Sequence, residues 1–223
     1  MSDNPAPPAD LGAPADPGEF GIGLRYSLHP ASDDFVDVIL GAIAATEQAG
    51  LSDGLTVQTD EVSTLVRATR APAEQLLAAY LTRTVAEATA RMNGGHLVSH
   101  VLFSRGCPGE ITCEIGDLAP PEVSPVALEP TGVDAVAQWS LYPLMDGGSA
   151  HGPHLAPIER AIEQARAADV RVEASNFSTR LRGDLAAVIA TMTDAWAGVG
   201  TEIPHVVTHA TISINSPSPK EQS

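Results

Sequence analysis

Two pairs of histidines stand four residues apart, in His-Leu-Val-Ser-His at 96–100 and in His-Val-Val-Thr-His at 205–209. On a helix this spacing would set both imidazoles on one face, close enough to share a metal ion. On a strand the two rings still share a face, but they lie about 13 Å apart. A metal holds each of its ligands at about 2 Å. Val98, Val101, Leu102 and Phe103 favour a strand, and the segment follows Asn93-Gly94-Gly95, a stop signal for a helix. The histidines are therefore not expected to form a metal site. Leu97, Val101 and Phe103 should face a core. His96, Val98, His100 and Leu102 should face outward, as part of an interface or a pocket wall.

Other candidates for chemistry are weaker. Asp146, Ser149, His151 and His154 hold the residue types of a nucleophilic triad. They sit in a glycine-rich stretch with no nucleophile elbow and no identifiable oxyanion donor. Gly18, Gly21 and Gly23 precede a strand pattern rather than follow one, so they are no dinucleotide fingerprint. Cys107 and Cys113 fit no common zinc spacing, and two reduced thiols are expected. No carboxylates pair as a general acid and base. No catalytic residue and no cofactor are expected, and the chain reads as a binding protein rather than an enzyme.

The elements that would position such residues must come from 223 residues, of which 43 % are hydrophobic and 18 % charged. That is enough for a core. With 28 acids against 12 bases the formal net charge is −16. This disfavours nucleic acid and anionic membrane surfaces as partners. No apolar run reaches the roughly 18 residues of a membrane span, so no direct membrane insertion is expected. The N-terminus lacks the pattern of a signal peptide, which points to the cytoplasm.

The chain repeats itself. Tyr-Ser-Leu-His-Pro at 26–30 matches Trp-Ser-Leu-Tyr-Pro at 139–143. Ser-Thr-Leu-Val-Arg at 63–67 matches Ser-Thr-Arg-Leu-Arg at 178–182, and the histidine pairs match in the same order. The order of the three matches indicates a duplicated domain. The pattern predicts a disordered tail over 1–19, a first repeat over 20–116, a proline-rich linker over 117–131, a second repeat over 132–216 and a tail over 217–223.

Within each repeat the periodicity runs strand, helix, strand, strand, helix, strand. The strands are expected at Gly23–His29, Thr56–Thr59 and Val62–Ala68, then at the histidine segment. The helices are expected around Phe35–Ile43, with Ser32 as a cap, and over Pro72–Asn93. The second repeat offers Val136–Tyr142, Leu155–Ile162, Val170–Ala174, Ser178–Arg182 and Asp184–Val199. The fold class is thus α+β: two tandem ferredoxin-like βαββαβ repeats, antiparallel sheets with helices on one face. The other face must be solvated or covered by another copy.

The first and third strands of such a sheet are neighbours, so Ser27 and the Leu28 backbone can converge with Ser63 and Thr64. Ser140, Leu141, Ser178 and Thr179 repeat them. Asp60 and Glu61 stand at the hairpin turn, where the second repeat has Ser175 and Asn176. Serines and threonines at these places can equally serve only to start strands and cap turns. Tyr26, Trp139 and Tyr142 could stack on a ligand or merely pack, and His29 stands where the second repeat has Tyr142.

Leu-Arg-Tyr-Ser-Leu-His-Pro, Ser-Asp-Asp-Phe-Val-Asp-Val-Ile, Thr-Asp-Glu-Val-Ser-Thr-Leu-Val-Arg and Gly-Cys-Pro-Gly, in this order, resemble the YkoF family. The resemblance runs from about Gly21 to Pro217. It implies binding of thiamine or its hydroxymethylpyrimidine moiety, a link to uptake of the precursor with a vitamin transporter as a further partner, and a homodimer with a site in each repeat. It also implies ligand contacts at Leu28 and Thr64, which the repeat extends to Leu141 and Thr179. Ser27, Asp60, Ser63, Ser140, Asn176 and Ser178 complete the expected ligand-binding set. Asp60 and Glu61 lead us to expect that the first repeat favours the cationic ligand. A regulatory protein-interaction module, or an enzyme acting on a pyrimidine, would use the same fold.

Overall fold

The computed structural model describes residues 14–107, 118–144 and 155–218. The first repeat comprises β1 (Gly23–Pro30), α2 (Phe35–Gln48), β2 (Leu55–Thr59), β3 (Thr64–Ala68), α3 (Ala73–Arg91) and β4 (Leu97–Arg105). A one-turn helix, α1 (Pro17–Phe20), precedes them. The second repeat comprises β5 (Asp134–Pro143), α4 (Leu155–Arg166), β6 (Arg171–Ser175), β7 (Ser178–Asp184), α5 (Leu185–Val199) and β8 (Val206–Ile214). The order is βαββαβ in both.

The strands alternate as their sequences demand. In β1, Leu24, Tyr26 and Leu28 point inward, and in β4 Leu97, Val101 and Phe103 do so, while His100 and Leu102 are exposed on the other face. The helices place Val38, Ala42, Leu77, Leu81, Val85, Ile189, Met192 and Trp196 against this inner face. Burial of about ten such side chains at roughly 1.5–3 kcal/mol each dominates the gross stabilisation.

The two repeats do not keep separate sheets. All eight strands form one sheet in the order β2-β3-β1-β4-β8-β5-β7-β6. The join is the antiparallel pair β4–β8, from Leu97↔Ile214 to Arg105↔Val206. Both strands alternate in the same phase, so their inner faces merge into one core. The sheets read as two from the sequence are therefore halves of one, because a strand that buries one face looks the same at an edge as in the middle.

The ends of the repeats are more ordered than their composition suggests. Within the stretch expected as a tail, residues 14–19 enter the fold. Asp16 accepts from the Gly18 amide at 2.8 Å, Pro17 opens α1, and Phe20 is fully buried. Residues 118–131 of the expected linker form no helix or strand, yet they are tied down. The Val126 amide donates to Asp194, and Gln75 exchanges two hydrogen bonds with the Ala127 backbone. Asp184 caps α5 through the Ala186 amide and also accepts from the Thr131 and Gly132 amides. Burial alone would raise the Asp184 pKa; the amides outweigh it and hold the carboxyl below its ordinary value. The α2 helix begins after Asp34, and Ser32 instead accepts from the Asp34 amide.

Two expectations concern other segments. Asp146, Ser149, His151 and His154 lie outside the described residues. Cys107 is disulfide-bonded, which corrects the expectation of a reduced thiol there. Cys113 lies outside the described residues.

Candidate functional site

At one end of the first repeat, β1 and the β2–β3 hairpin diverge from α2 and leave a cavity of about 460 Å³. The register sets Tyr26 opposite Thr64, so the Ser27-Leu28 step of β1 and the Ser63-Thr64 start of β3 meet there. Asp60, Glu61 and Val62 of the hairpin form one lip, and Phe35 and Ile39 of α2 form the other. Phe35 is half exposed and belongs to this mouth rather than to the core.

The second repeat has the corresponding cavity, of about 300 Å³. Trp139 pairs with Thr179 as Tyr26 pairs with Thr64. Ser140, Leu141, Ser178 and Thr179 line it, with Ile158 and Ile162 from α4. Of the ten expected ligand-binding residues, Ser27, Leu28, Asp60, Ser63 and Thr64 thus line one cavity, and Ser140, Leu141, Ser178 and Thr179 line the other. Asn176 is exposed in the hairpin turn and does not line either of them.

The floors differ. In the first repeat Tyr26 is buried against the edge of the Tyr80 ring, with centroids 6.2 Å apart. Neither hydroxyl makes a hydrogen bond of ordinary geometry, although they lie beside each other and near Thr84, and the buried Ser99 hydroxyl beside Leu28 has no partner. Burial, then the Tyr80 hydroxyl, pushes the Tyr26 pKa up, so the phenol is a neutral donor. Thr64 shares a hydrogen bond with Thr59 at 3.0 Å. In the second repeat Trp139 Nε1 donates to Thr208 at 2.6 Å, and Thr208 donates to the Ser140 carbonyl. Thr208 stands beside Leu141 as Ser99 does beside Leu28. Eight residues after the N-caps Pro72 and Asp184, Tyr80 is replaced by Met192. One floor offers unpaired hydroxyls; the other is closed by an indole whose N–H is already used.

Asp60 is at the cavity, but its carboxylate is committed. It accepts from Arg25 at 2.9 Å and from the Val62 and Ser63 amides. Arg25, then these amides, lowers its pKa to about 2. A cationic ligand approaching the hairpin would meet a neutralised pair there.

On the opposite face of the sheet three imidazoles form a row across β1, β4 and β8. His29 and His100 have ring centroids 5.2 Å apart, and His100 and His209 6.3 Å. His100 shares a hydrogen bond with Thr211, and His96 one with Ser213. Among the described residues no group of His, Cys, Asp or Glu is arranged to hold a metal.

The YKOF-related family matches residues 21–110 and 134–219, one stretch for each repeat. The chain belongs to the YkoF-related family. A curated relative from Bacillus subtilis (strain 168), named "Putative HMP/thiamine-binding protein YkoF", is 27 % identical over 205 residues, covering 90 % of this chain and 93 % of its own. Two solved structures also align. A hypothetical protein of Methanocaldococcus jannascii has 27 % identity, a TM-score of 0.32, and coverage of 40 % of this chain and 84 % of its own. A protein of Streptococcus pneumoniae has 22 % identity, a TM-score of 0.31, and coverage of 35 % and 83 %. The YkoF-related repeats are thus the two halves of the sheet, each with its cavity. Sequence reasoning missed Phe35, Val62 and Phe177 at the mouths and Tyr80 beneath the first cavity. Phe177, directly before the matched Ser-Thr pair, was legible as an aromatic in a turn.

Proposed function

We propose that the protein binds thiamine or its hydroxymethylpyrimidine moiety, one ligand in the cavity of each repeat. The observation that carries this reading is the pair of matched cavities, each with a Ser-Leu step of one strand set against the Ser-Thr start of the next. An aminopyrimidine presents ring nitrogens that accept and an exocyclic amine that donates. Hydroxyls and backbone groups in an apolar setting answer both. In the first repeat the Tyr26 hydroxyl is the unspent donor for a ring nitrogen, and Thr64 is the second polar contact. The name of the Bacillus subtilis relative supports this ligand class and supports a binder over an enzyme. Among the described residues no helix is long and apolar enough to cross a membrane. In this reading the protein handles the thiamine precursor in the cytoplasm, as a homodimer, in connection with a vitamin transporter.

Calorimetric titration with thiamine and then hydroxymethylpyrimidine tests the reading. Two sites per chain are expected. Thr64→Val and Thr179→Val should each weaken one site about fivefold, the worth of one hydrogen bond of about 1 kcal/mol. No heat from either compound at millimolar concentration would transfer the reading to a protein-interaction module.

A further inference from the structure

Phe177 is fully exposed and has φ 63°, in the left-handed region that bulky side chains avoid. It is the second central residue of the two-residue turn closed by Ser175 and Ser178. A positive φ at that position calls for glycine or asparagine. Asn176 stands immediately before it, so the turn holds a suitable residue in the other place. An exposed aromatic ring on a strained backbone brings the fold nothing: its carbonyl accepts a long 3.4 Å bond from Ser140, which any residue would accept. A residue that disfavours its own turn is explained by what it meets outside the fold.

Its location says what that is. Phe177 lies on the rim of the second-repeat cavity. Trp139 and Thr179 are directly paired, so Tyr142, three residues on, and Phe177, two residues back, leave the same end of β5 and β7 together. Tyr142 is half exposed and lines the same cavity. Phe177 and Trp139 thus both border a space whose floor donor, Trp139 Nε1, is already paired. The first repeat has Val62 in place of Phe177 and His29 in place of Tyr142, and its floor carries the unpaired hydroxyls.

We infer that Phe177 is the positioning residue of the second-repeat site: its ring turns onto the face of a flat heteroaromatic ligand, which it holds over the floor closed by Trp139. The inference rests on the proposed function for the identity of the ligand and adds how this cavity recognises it. The second site reads the face of the ring by stacking, whereas the first reads its edge by hydrogen bonds. A rotation of the Phe177 side chain suffices, since side-chain changes at an interface are common without backbone movement. A positive charge delocalised in the bound ring strengthens the contact.

The test is calorimetric titration of the full chain and of Phe177→Gly and Phe177→Tyr with thiamine, together with thermal unfolding without ligand. Phe177→Gly relieves the turn, so its Tm should rise. The Kd of one of the two sites should rise about tenfold while the other holds, and Phe177→Tyr should bind like the parent. Two unchanged sites in Phe177→Gly would overturn the inference while leaving the proposed function standing. Unchanged sites with a smaller particle by light scattering would assign Phe177 to contact with another copy instead. If the parent binds neither thiamine nor hydroxymethylpyrimidine, the proposed function falls. N-methylpyridinium, a flat heteroaromatic cation, then decides the clamp by tryptophan fluorescence. Saturable quenching lost in Phe177→Gly supports it, and quenching that does not saturate, or that persists in the variant, overturns it.

Discussion

The Tyr26 hydroxyl is buried without a hydrogen bond of ordinary geometry, a state that costs a fold about 1–3 kcal/mol. Replacing Tyr26 with Phe removes the atom and keeps the ring. We expect Tyr26→Phe to be more stable than the parent by about 1 kcal/mol in urea unfolding. We also expect it to bind hydroxymethylpyrimidine several-fold more weakly by calorimetry. The two opposite signs separate a ligand contact from a structural one: a hydroxyl that served the fold would lower stability when removed. From sequence Tyr26 read as a stacking candidate. The strand pattern gave its face but not the Tyr80 ring beneath it, because that contact depends on where α3 crosses the sheet.

The row of histidines belongs to the strands that carry it. His209 sits on β8, where burial, then the neighbouring His100, lowers its pKa below the ordinary imidazole value. Its neutral form is the one the fold favours. The unfolded chain takes up a proton near pH 6.5. The His209 contribution to stability is therefore present above about pH 6.5 and is lost as the pH falls from there through the folded pKa. Thermal unfolding between pH 7.5 and 5.5 should show a steeper decline in Tm for the parent than for His209→Gln. Equal slopes would assign the decline to other groups. At this scale most of the architecture was legible: strand alternation, the Asn93-Gly94-Gly95 stop and the repeated Ser-Thr starts each act through a local pattern. The outward phase of His100 followed from the same alternation. The positive φ of Phe177 was not legible, since an Asn-Phe pair gives no sign of which residue takes it. The pairing of β4 with β8 was not legible either, because it is decided between two distant strands with equally good inner faces.

Across the whole molecule the two repeats are joined by the β4–β8 ladder, and a buried ion pair of the first repeat lies against the second. Arg105 at the end of β4 reaches Glu74 of α3 at 3.1 Å, and both side chains are almost fully buried. The guanidinium lies 5.7 Å from the Phe20 ring centre and 6.0 Å from that of Trp196, and it donates to the Ala197 carbonyl at 3.5 Å. Gly200 leaves it room: a Cβ there would come within 2.4 Å of the Arg105 chain. Residues of both repeats thus surround one charge. Burial raises the Glu74 pKa against the opposing pull of Arg105, and burial lowers that of Arg105. Glu74→Ala, which leaves the guanidinium uncompensated, should cost about 3–5 kcal/mol in urea unfolding. The double variant Glu74→Leu, Arg105→Met should recover most of this loss. Failure to recover would mean that the pair fixes the angle between the halves rather than merely filling space. The place of β8 has a further consequence, for synthesis on the ribosome. This strand is the last of the eight to be translated, yet it lies at the centre of the sheet, between β4 and β5. Until it emerges, the nascent chain presents β4 as an uncovered edge nine residues long, with apolar side chains along one face. A chaperone that guards this edge, or a pace of translation that shortens its exposure, would decide the yield of folded protein. A chain stopped before Val206 would expose two edges at once and recruit its own copies.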